Sequence, residues 1–556
     1  MSFTYIASAA DWARIAPVVV LAIVALLVLM VDLLLPQPAK NQKNSSTYLV
    51  LPLLSLIGLA GAIIATIILF IFGDHLPAFY MMISSDQGSM YAYIIILSAS
   101  ALGILLSPAY LKRMHLVHQG EYYALMLLAT IGMMILAAAT SFLTVFLGLE
   151  MLSLALYILS GFVLRRSSSQ ESSMKYFLLS SFASAFLLYG IAMTYGATGN
   201  TSFIGIHFFL FNNFPTTRSI NPTIIGHLPT LLLIGMGLMI VGFAFKVSAI
   251  PFQAWTPDVY EGAPAPVTAF MSVGTKAAAL IAFARVFDVM LPLVKPDWEV
   301  VVLAITILTI IGGNIMALVQ SNVKRMLAYS SIANAGYLLI GVVAGGAIGL
   351  SAILFYLLCY TFMNLGAFGV ISVLERSDNT GTNLSDIRGL WNRQPVLASL
   401  LAFFMLALAG FPPMAGFAAK YYIFYAALQT GHPELMILGV LASILGMYYY
   451  LRVIAAMFME KETIPAITTP VSGKRISTTL SEGGTRTATA VAVRVPPKTA
   501  VEVEPVAEQG LANAGWTTWI ALGIAAVGTL AMGTVLPFWL VDLALQAARM
   551  MLLLAR

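Results

Sequence analysis

Runs of about 20 apolar residues, separated by short polar breaks, recur along almost the whole of this chain, and a segment of that length spans the hydrocarbon core of a bilayer as a helix. Only 9% of the residues are charged and 60% are hydrophobic, where a soluble domain carries roughly 25% charge. An open sheet leaves its backbone unsatisfied in lipid, and the runs are too long for barrel strands. The fold class is therefore all-α, a polytopic membrane helix bundle. Spans are expected at about 15–35, 47–72, 89–111, 122–139, 141–164, 173–195, 229–260, 264–290, 299–320, 324–346, 350–374, 395–429, 433–459 and 515–537, about 14 transmembrane helices in all. The segment 196–228 is ambiguous, because FIGIHFFLFNNF is apolar but too short to cross. The first residues lack the basic region and cleavage site of a signal peptide, so the first span is expected to be retained.

Basic residues set the expected orientation. With the N-terminus outside, the inside loops collect Lys40, Lys43, Lys112, Arg113, Arg165, Arg166, Lys324, Arg325, Arg376, Arg388 and Arg393, and the outside loops only Arg218 and Lys295. An even number of spans with both termini outside follows. The segment 460–514 is rich in Ser, Thr and Gly and reads as a flexible inside insertion. The residues after 537 either continue the last span or lie along the surface. The net charge of +5 is scattered over loop pairs and forms no face for nucleic acid. The single cysteine, Cys359, excludes an internal disulfide and an iron–sulfur cluster held by this chain alone.

The stretch 241–287 places Lys246 and Lys276 inside apolar segments with Pro251, Pro257, Pro264 and Pro266 between them. An ionised side chain at the bilayer centre costs about 2.5–3.5 kcal/mol on insertion scales, so each lysine is a candidate functional residue. Two segments, 229–260 and 395–429, exceed a span and carry proline, at AIPF 249–252 and GFPPMAG 410–416. Proline breaks a helix. Lys246 precedes the first break and Lys420 follows the second. Paired broken helices in corresponding halves point to an ion path between inverted repeats. The candidate halves are helices 4–8 and 9–13.

Glu150 lies about ten residues into its helix, too deep to reach either headgroup layer easily. A buried Glu–Lys pair moves between ionised and neutral forms as its surroundings change, which arginine does not do. Along the chain Glu150, Lys246, Lys276 and Lys420 form alternating acid and base sites. Lys175 is either a fifth member or a side chain reaching the surface beside Arg165 and Arg166. Arg285 and Arg452 read as anchors near helix ends, and Asp32 as an interfacial residue or a helper carboxylate. His115 and His118 read as solvated, and His207 and His227 flank the ambiguous segment. No Walker-type motif and no GxGxxG after a strand occurs, so acid–base groups stand without a nucleotide or metal site.

The blocks FLGLEMLSLALYIL, SSMKYFLLSSFASAFLLYG, FKVSAIPFQAWTPDVYEGAPAPVTAFMSVGTKAA, KRMLAYSSIANAGYLLIG and LAGFPPMAGFAAKYYIF resemble the subunit N family of the proton-pumping NADH:quinone oxidoreductase, respiratory complex I. The likeness runs from about residue 88 to 459. It implies an antiporter-like, proton-translocating membrane-arm subunit with two inverted-topology five-helix repeats, each containing a broken helix. The division implied is 1–121 for the N-terminal transmembrane helices, 122–290 and 291–459 for the two repeats, 460–514 for a cytoplasmic insertion and 515–556 for the last helix and tail. It also implies that Glu150 pairs with Lys246, that Lys276 is the central relay, that Lys420 faces the outer exit and that Lys175 matches a family lysine. Lys420 separates the chain from the related subunit M, which has glutamate there. The departure from the pattern is the insertion. No cofactor is expected on this chain; NAD, FMN, iron–sulfur clusters and quinone belong to the partner subunits that the resemblance implies. Those partners are the other membrane-arm subunits and the peripheral NADH- and quinone-reducing subunits, in the lipid of a bacterial inner membrane, with both termini on the periplasmic face. Two other readings stay open on the residues: a subunit of a multi-subunit sodium/proton antiporter, and an arm of a membrane-bound hydrogenase.

Overall fold

The computed structural model describes residues 7–35, 46–116, 119–213, 229–376, 380–459 and 514–553. The insertion at 460–514 lies outside these residues except for its last position, as do Lys40, Lys43, His118, Arg218 and His227.

The spans are α1 (Ala16–Leu34), α2 (Val50–Phe72), α3 (Gln87–Arg113), α4 (Gly120–Ala137), α5 (Phe142–Ser160) and α6 (Ser167–Thr198). A split pair follows, α7 (Thr230–Val247) and α8 (Trp255–Gly262), then α9 (Ala265–Ala284), α10 (Lys295–Leu318), α11 (Val323–Ala344) and α12 (Gly346–Leu374). A second split pair, α13 (Pro395–Ala409) and α14 (Ala415–Gln429), precedes α15 (Pro433–Phe458), α16 (Trp516–Thr534) and α17 (Pro537–Leu553). Among the described residues thirteen helices are long and apolar enough to cross a membrane. The split pair α13–α14 adds the fourteenth crossing. The ambiguous segment contributes a short helix, Phe203–Asn213.

The first described residues meet the segment between α2 and α3, and the last meet the start of α3. Trp12 packs edge-on against Phe79 at 5.3 Å, Arg14 pairs with Asp74, and Met551 fills the space beside Gly88. The Arg14 guanidinium holds the Asp74 carboxyl below its ordinary range. The two termini thus lie at one end of the bundle, as an even number of crossings requires. Helix α16 leans across the bundle, from Ala109 beside Gly515 to the second break, where Gly533 abuts Pro413 and Met414. The chain turns at Pro537, and α17 comes back to the start of α3. The tail is therefore the second limb of a bent crossing.

Small residues let the helices pack closely, which is how association is driven where lipid is as apolar as leucine. A Cβ on Gly132 of α4 would sit 2.5 Å from the backbone nitrogen of Leu152 in α5. Gly313 of α10 repeats the contact against Ala333 of α11 at 2.7 Å. The second pair lies 181 residues beyond the first in both members. The same offset relates two short backbone bridges, Ser141 with Ser202 and Asn322 with Asn383. Because spans alternate in direction, the first bridge lies at the end carrying the termini and the second at the opposite end.

The most buried span is α9, which carries Lys276; all of its residues are buried. It forms the axis around which α3, α4, α11 and α12 pack.

Candidate functional site

Each interrupted helix keeps its backbone satisfied with side chains, as non-helical backbone at membrane depth must. Helix α7 stops at Ser248, which adopts a left-handed conformation with φ 67°. The freed amide of Ile250 donates to Thr309 Oγ1 of α10 at 2.9 Å, and Trp255 Nε1 donates to the Phe245 carbonyl at 3.0 Å. Helix α13 ends at Gly410, with φ 91°. Its last carbonyls are taken by a cation: Lys420 Nζ, from the following half-helix, donates to Leu408 O at 3.2 Å and to Ala409 O at 3.0 Å. A positive charge at a helix C-terminus is favoured by the helix dipole. Lys246 likewise stands in the last turn of its half-helix.

All three lysines are buried, Lys246 at 2%, Lys276 at 1% and Lys420 at 8% exposure. Lys246 Nζ donates to Ser153 Oγ at 2.7 Å and to Tyr176 Oη at 3.4 Å, and lies 5.4 Å from the Tyr176 ring centre. Lys276 Nζ donates to the Ser331 hydroxyl and carbonyl of α11. Lys420 stands over the Tyr337 ring at 5.3 Å. None of the three makes an ion pair among the described residues.

The expected Glu150–Lys246 pair is not a contact ion pair here. Ser153, one turn beyond Glu150, takes the ammonium instead, and Glu150 Oε1 is buried without a hydrogen-bond partner. Glu150 and Ser153 lie one turn apart on α5, and of the two only Ser153 bonds the ammonium. Lys175 is not buried. Its side chain is 42% exposed and lies 2.8 Å from both Glu171 and Asp258. Arg325 joins the same group at 2.9 Å from Asp258 and 2.8 Å from Glu261, around an open recess of about 290 Å³. Of the two sequence readings of Lys175, the surface one describes its position.

Three features escaped the sequence reading. The first is a file of uncharged polar groups between Lys276 and Lys420. Ser330, beside Ser331, hydrogen-bonds Tyr450 Oη, and Asn334 Nδ2 donates to Ser330 O at 2.8 Å. Tyr356 Oη donates to Asn334 Oδ1 at 2.7 Å. The Tyr450 ring lies tilted against that of Tyr449, 4.4 Å between centroids; Tyr449 donates to Asn314 at 3.3 Å, and Asn314 donates to Tyr337 at 3.2 Å, under Lys420. The signal for it was the spacing Ser330, Ser331, Asn334, Tyr337 along one face of an otherwise apolar helix. Between Lys246 and Lys276 the groups are aromatic, with Tyr176 stacked on Trp255 at 4.8 Å and Tyr260 edge-on to it.

The second is a buried charge cluster at the end opposite the termini. Glu375 Oε1 lies 2.5 Å from Arg166 and 3.1 Å from Lys324, and its Oε2 accepts the Ala265 amide at the start of α9. The third is Arg285, read as an anchor but only 1% exposed. Its Nη2 lies 2.8 Å from Asp86 Oδ2 and 2.7 Å from Ser89 Oγ. Burial pushes the Asp86 carboxyl up, but Arg285 and the hydrogen bonds from Ser84 and Ser89 outweigh it and hold the group below its ordinary value.

No group of three or more His, Cys, Asp or Glu suited to a metal occurs among the described residues. Comparison with known proteins agrees with this architecture. The chain is 44% identical over 446 residues to "NADH-quinone oxidoreductase subunit N" of Trichlorobacter lovleyi, covering 80% of this chain and 87% of that one. It is 45% identical to the protein of the same name from Salinibacter ruber, covering 73% and 80%. Among solved structures it is similar to a chain of respiratory complex I from Thermus thermophilus with bound aureothin, with TM-score 0.68, 30% identity, and 95% and 98% of the chains covered. A chain of the Mrp complex from Dietzia sp. DQ12-45-1b shares the fold, with TM-score 0.73, 20% identity, and 98% and 97% covered. Residues 139–446, which hold both broken helices and all three buried lysines, match the family described as "NADH:quinone oxidoreductase/Mrp antiporter, TM", and the chain belongs to that family.

Proposed function

We propose that this chain is the proton-translocating subunit N of an NADH:quinone oxidoreductase, a non-redox part of a redox-driven translocase. The observation that carries the reading is the placement of three ammonium groups in the bundle interior, with a file of uncharged polar groups lying between Lys276 and Lys420. A proton enters beside Glu150, occupies Lys246, passes to Lys276 and leaves through Lys420. Lys175, in the open recess with Asp258, Glu261 and Arg325, serves the entry side. The relay falls into two repeats, 122–290 and 291–459, a division supported by the two matching bridges and glycine contacts at one offset. The end carrying both termini faces the periplasm of a bacterial inner membrane. NAD, FMN, iron–sulfur clusters and quinone belong to partner subunits, which supply the energy. Moving one charge against 100 mV costs about 2.3 kcal/mol, and one pKa unit corresponds to about 1.4 kcal/mol, so swings of a few units along the relay match the work required. The names of the relatives at 44% and 45% identity favour this reading over a free-standing antiporter.

The test is Lys246→Ala and Glu150→Ala in the assembled complex. Assembly is retained and most coupled quinone reduction is lost. Normal turnover with normal pumping in both variants contradicts the proposal.

A further inference from the structure

A second set of titratable groups lies at the end of the bundle that carries both termini, between the last buried lysine, Lys420, and solvent. Helix α9 continues beyond Ala284 as a six-residue π-turn, Arg285–Met290, and Asp288 stands in it. Single π-turns in α-helices occur frequently at functional sites. Asp288 is 6% exposed, and its Oδ2 is buried with no hydrogen-bond partner. Its Oδ1 and the Lys295 ammonium crowd the same point beside Gly345, lying 2.8 and 3.2 Å from where a Cβ on that glycine would sit. Gly345 has φ 65°, so both its backbone and its neighbours require the missing side chain.

From Asp288 the groups continue outward. Lys295 donates to Val343 O at 2.8 Å and Ala344 O at 3.3 Å, and lies 3.6 Å from Glu299, one turn along α10. Glu299 lies 3.0 Å from His432 Nε2, and His432 Nδ1 lies 3.2 Å from Glu434, whose side chain is 55% exposed. Asp288 is twelve residues beyond Lys276, in the π-turn that continues α9, and His432 is twelve beyond Lys420, in the turn that joins α14 to α15. At about 1.5 Å per residue, the helix carries the chain from Lys276 to Ala284 over about 12 Å and from Lys420 to Gln429 over about 14 Å, each towards this group.

We infer that Asp288, Lys295, Glu299, His432 and Glu434 form the outlet through which protons leave this chain. The inference rests on the proposed function and extends it to residues that no buried lysine marks. Each transfer moves one proton, and every group but His432 returns to its starting form; the imidazole ends as the Nε2–H tautomer and resets by exchanging protons with solvent, to which it is 20% exposed. Asp288 receives the proton that leaves Lys420 and passes it, across the space beside Gly345 that both groups line, to Lys295 as that ammonium releases one to Glu299. A lysine ammonium has three donors, of which the two carbonyls occupy two. Glu299 protonates His432 at Nε2, and His432 releases the proton from Nδ1 to Glu434 and solvent, as an imidazole near neutral pH is suited to do.

The test measures NADH:quinone turnover of the whole assembled complex in the presence of an uncoupler, with Lys276→Ala run beside the outlet variants. Asp288→Asn and His432→Ala are each expected to slow turnover by about tenfold or more, as loss of a positioned proton-transfer group does. Asp288→Glu restores the rate. Added imidazole restores His432→Ala but leaves Asp288→Asn and the unsubstituted complex unchanged. If Lys276→Ala stalls the complex while Asp288→Asn and His432→Ala run at full rate, the outlet is overturned and the proposed function stands. Loss of rate in Asp288→Asn with no rescue by glutamate, or in His432→Ala with no rescue by imidazole, also overturns it, because a purely structural role has then been shown. A normal rate in Lys276→Ala sinks the proposed function and the outlet together. Should Asp288→Asn fail to assemble, the imidazole measurement on His432→Ala decides.

Discussion

Lys420 binds the carbonyl of Ala409 at 3.0 Å across the interruption between α13 and α14, so one ammonium both closes a helix end and stands at the end of the polar file. These two tasks separate under substitution. Lys420→Arg keeps a cation over Leu408 and Ala409 but holds its proton permanently. It is expected to preserve assembly and abolish most turnover. Lys420→Ala additionally leaves two buried carbonyls unsatisfied, at a cost of about 1–3 kcal/mol each, and is expected to lower the melting temperature of the detergent-solubilised complex as well. Equal activity in the arginine variant and the unsubstituted complex contradicts the relay role.

The file between Lys276 and Lys420 makes a prediction about uncharged residues. Asn334 joins Ser330 to Tyr356, and Asn334→Leu replaces it with a side chain of similar volume that carries no proton. Turnover is expected to fall by about tenfold or more, with assembly on a native gel unchanged. An unchanged rate shows that protons take another course.

Arg285 and Asp86 form a buried pair at the end carrying the termini. Removing one partner strands the other charge, and Arg285→Met is expected to destabilise the subunit by about 3–5 kcal/mol. The double variant with Asp86→Asn recovers part of the loss. Because the Asp86 carboxyl is held below its ordinary value of 3.8, its contribution is fully present above that pH and fades as pH falls through the lower, folded value. Thermal melts of the single and double variants check the first claim, and acid titration of the melting temperature checks the second.

Helix contacts provide a structural prediction. Gly132→Ala drives a methyl into the backbone of Leu152, and such overpacking costs about 1–3 kcal/mol. Gly237→Ala on α7 meets nothing within 4 Å and is expected to be neutral. Comparable melting temperatures for the two variants contradict the close packing of α4 on α5.

What the sequence discloses follows from what stands out against lipid. Lys246, Lys276 and Lys420 were legible because an amine within an apolar run has no ordinary explanation, and the prolines at 251, 412 and 413 marked the breaks. Asp288, Lys324 and Glu375 were not, because charges near span ends look like loop charges until the fold buries them. Arg166 and Glu375 are 209 residues apart, a pairing that no local pattern announces. Glu150 and Lys246, expected to pair, are not in direct contact, because Ser153, on the next turn, takes the ammonium. Asn314, Asn334 and Tyr450 are neutral, and each alone resembles an ordinary helix residue.

The central claim is that Lys276 carries protons through the axis of the bundle. The direct measurement is proton pumping together with quinone reductase activity in membranes containing the Lys276→Ala complex, normalised to assembled enzyme. The account predicts loss of most of both, with the complex still assembled. Undiminished pumping at normal turnover contradicts it.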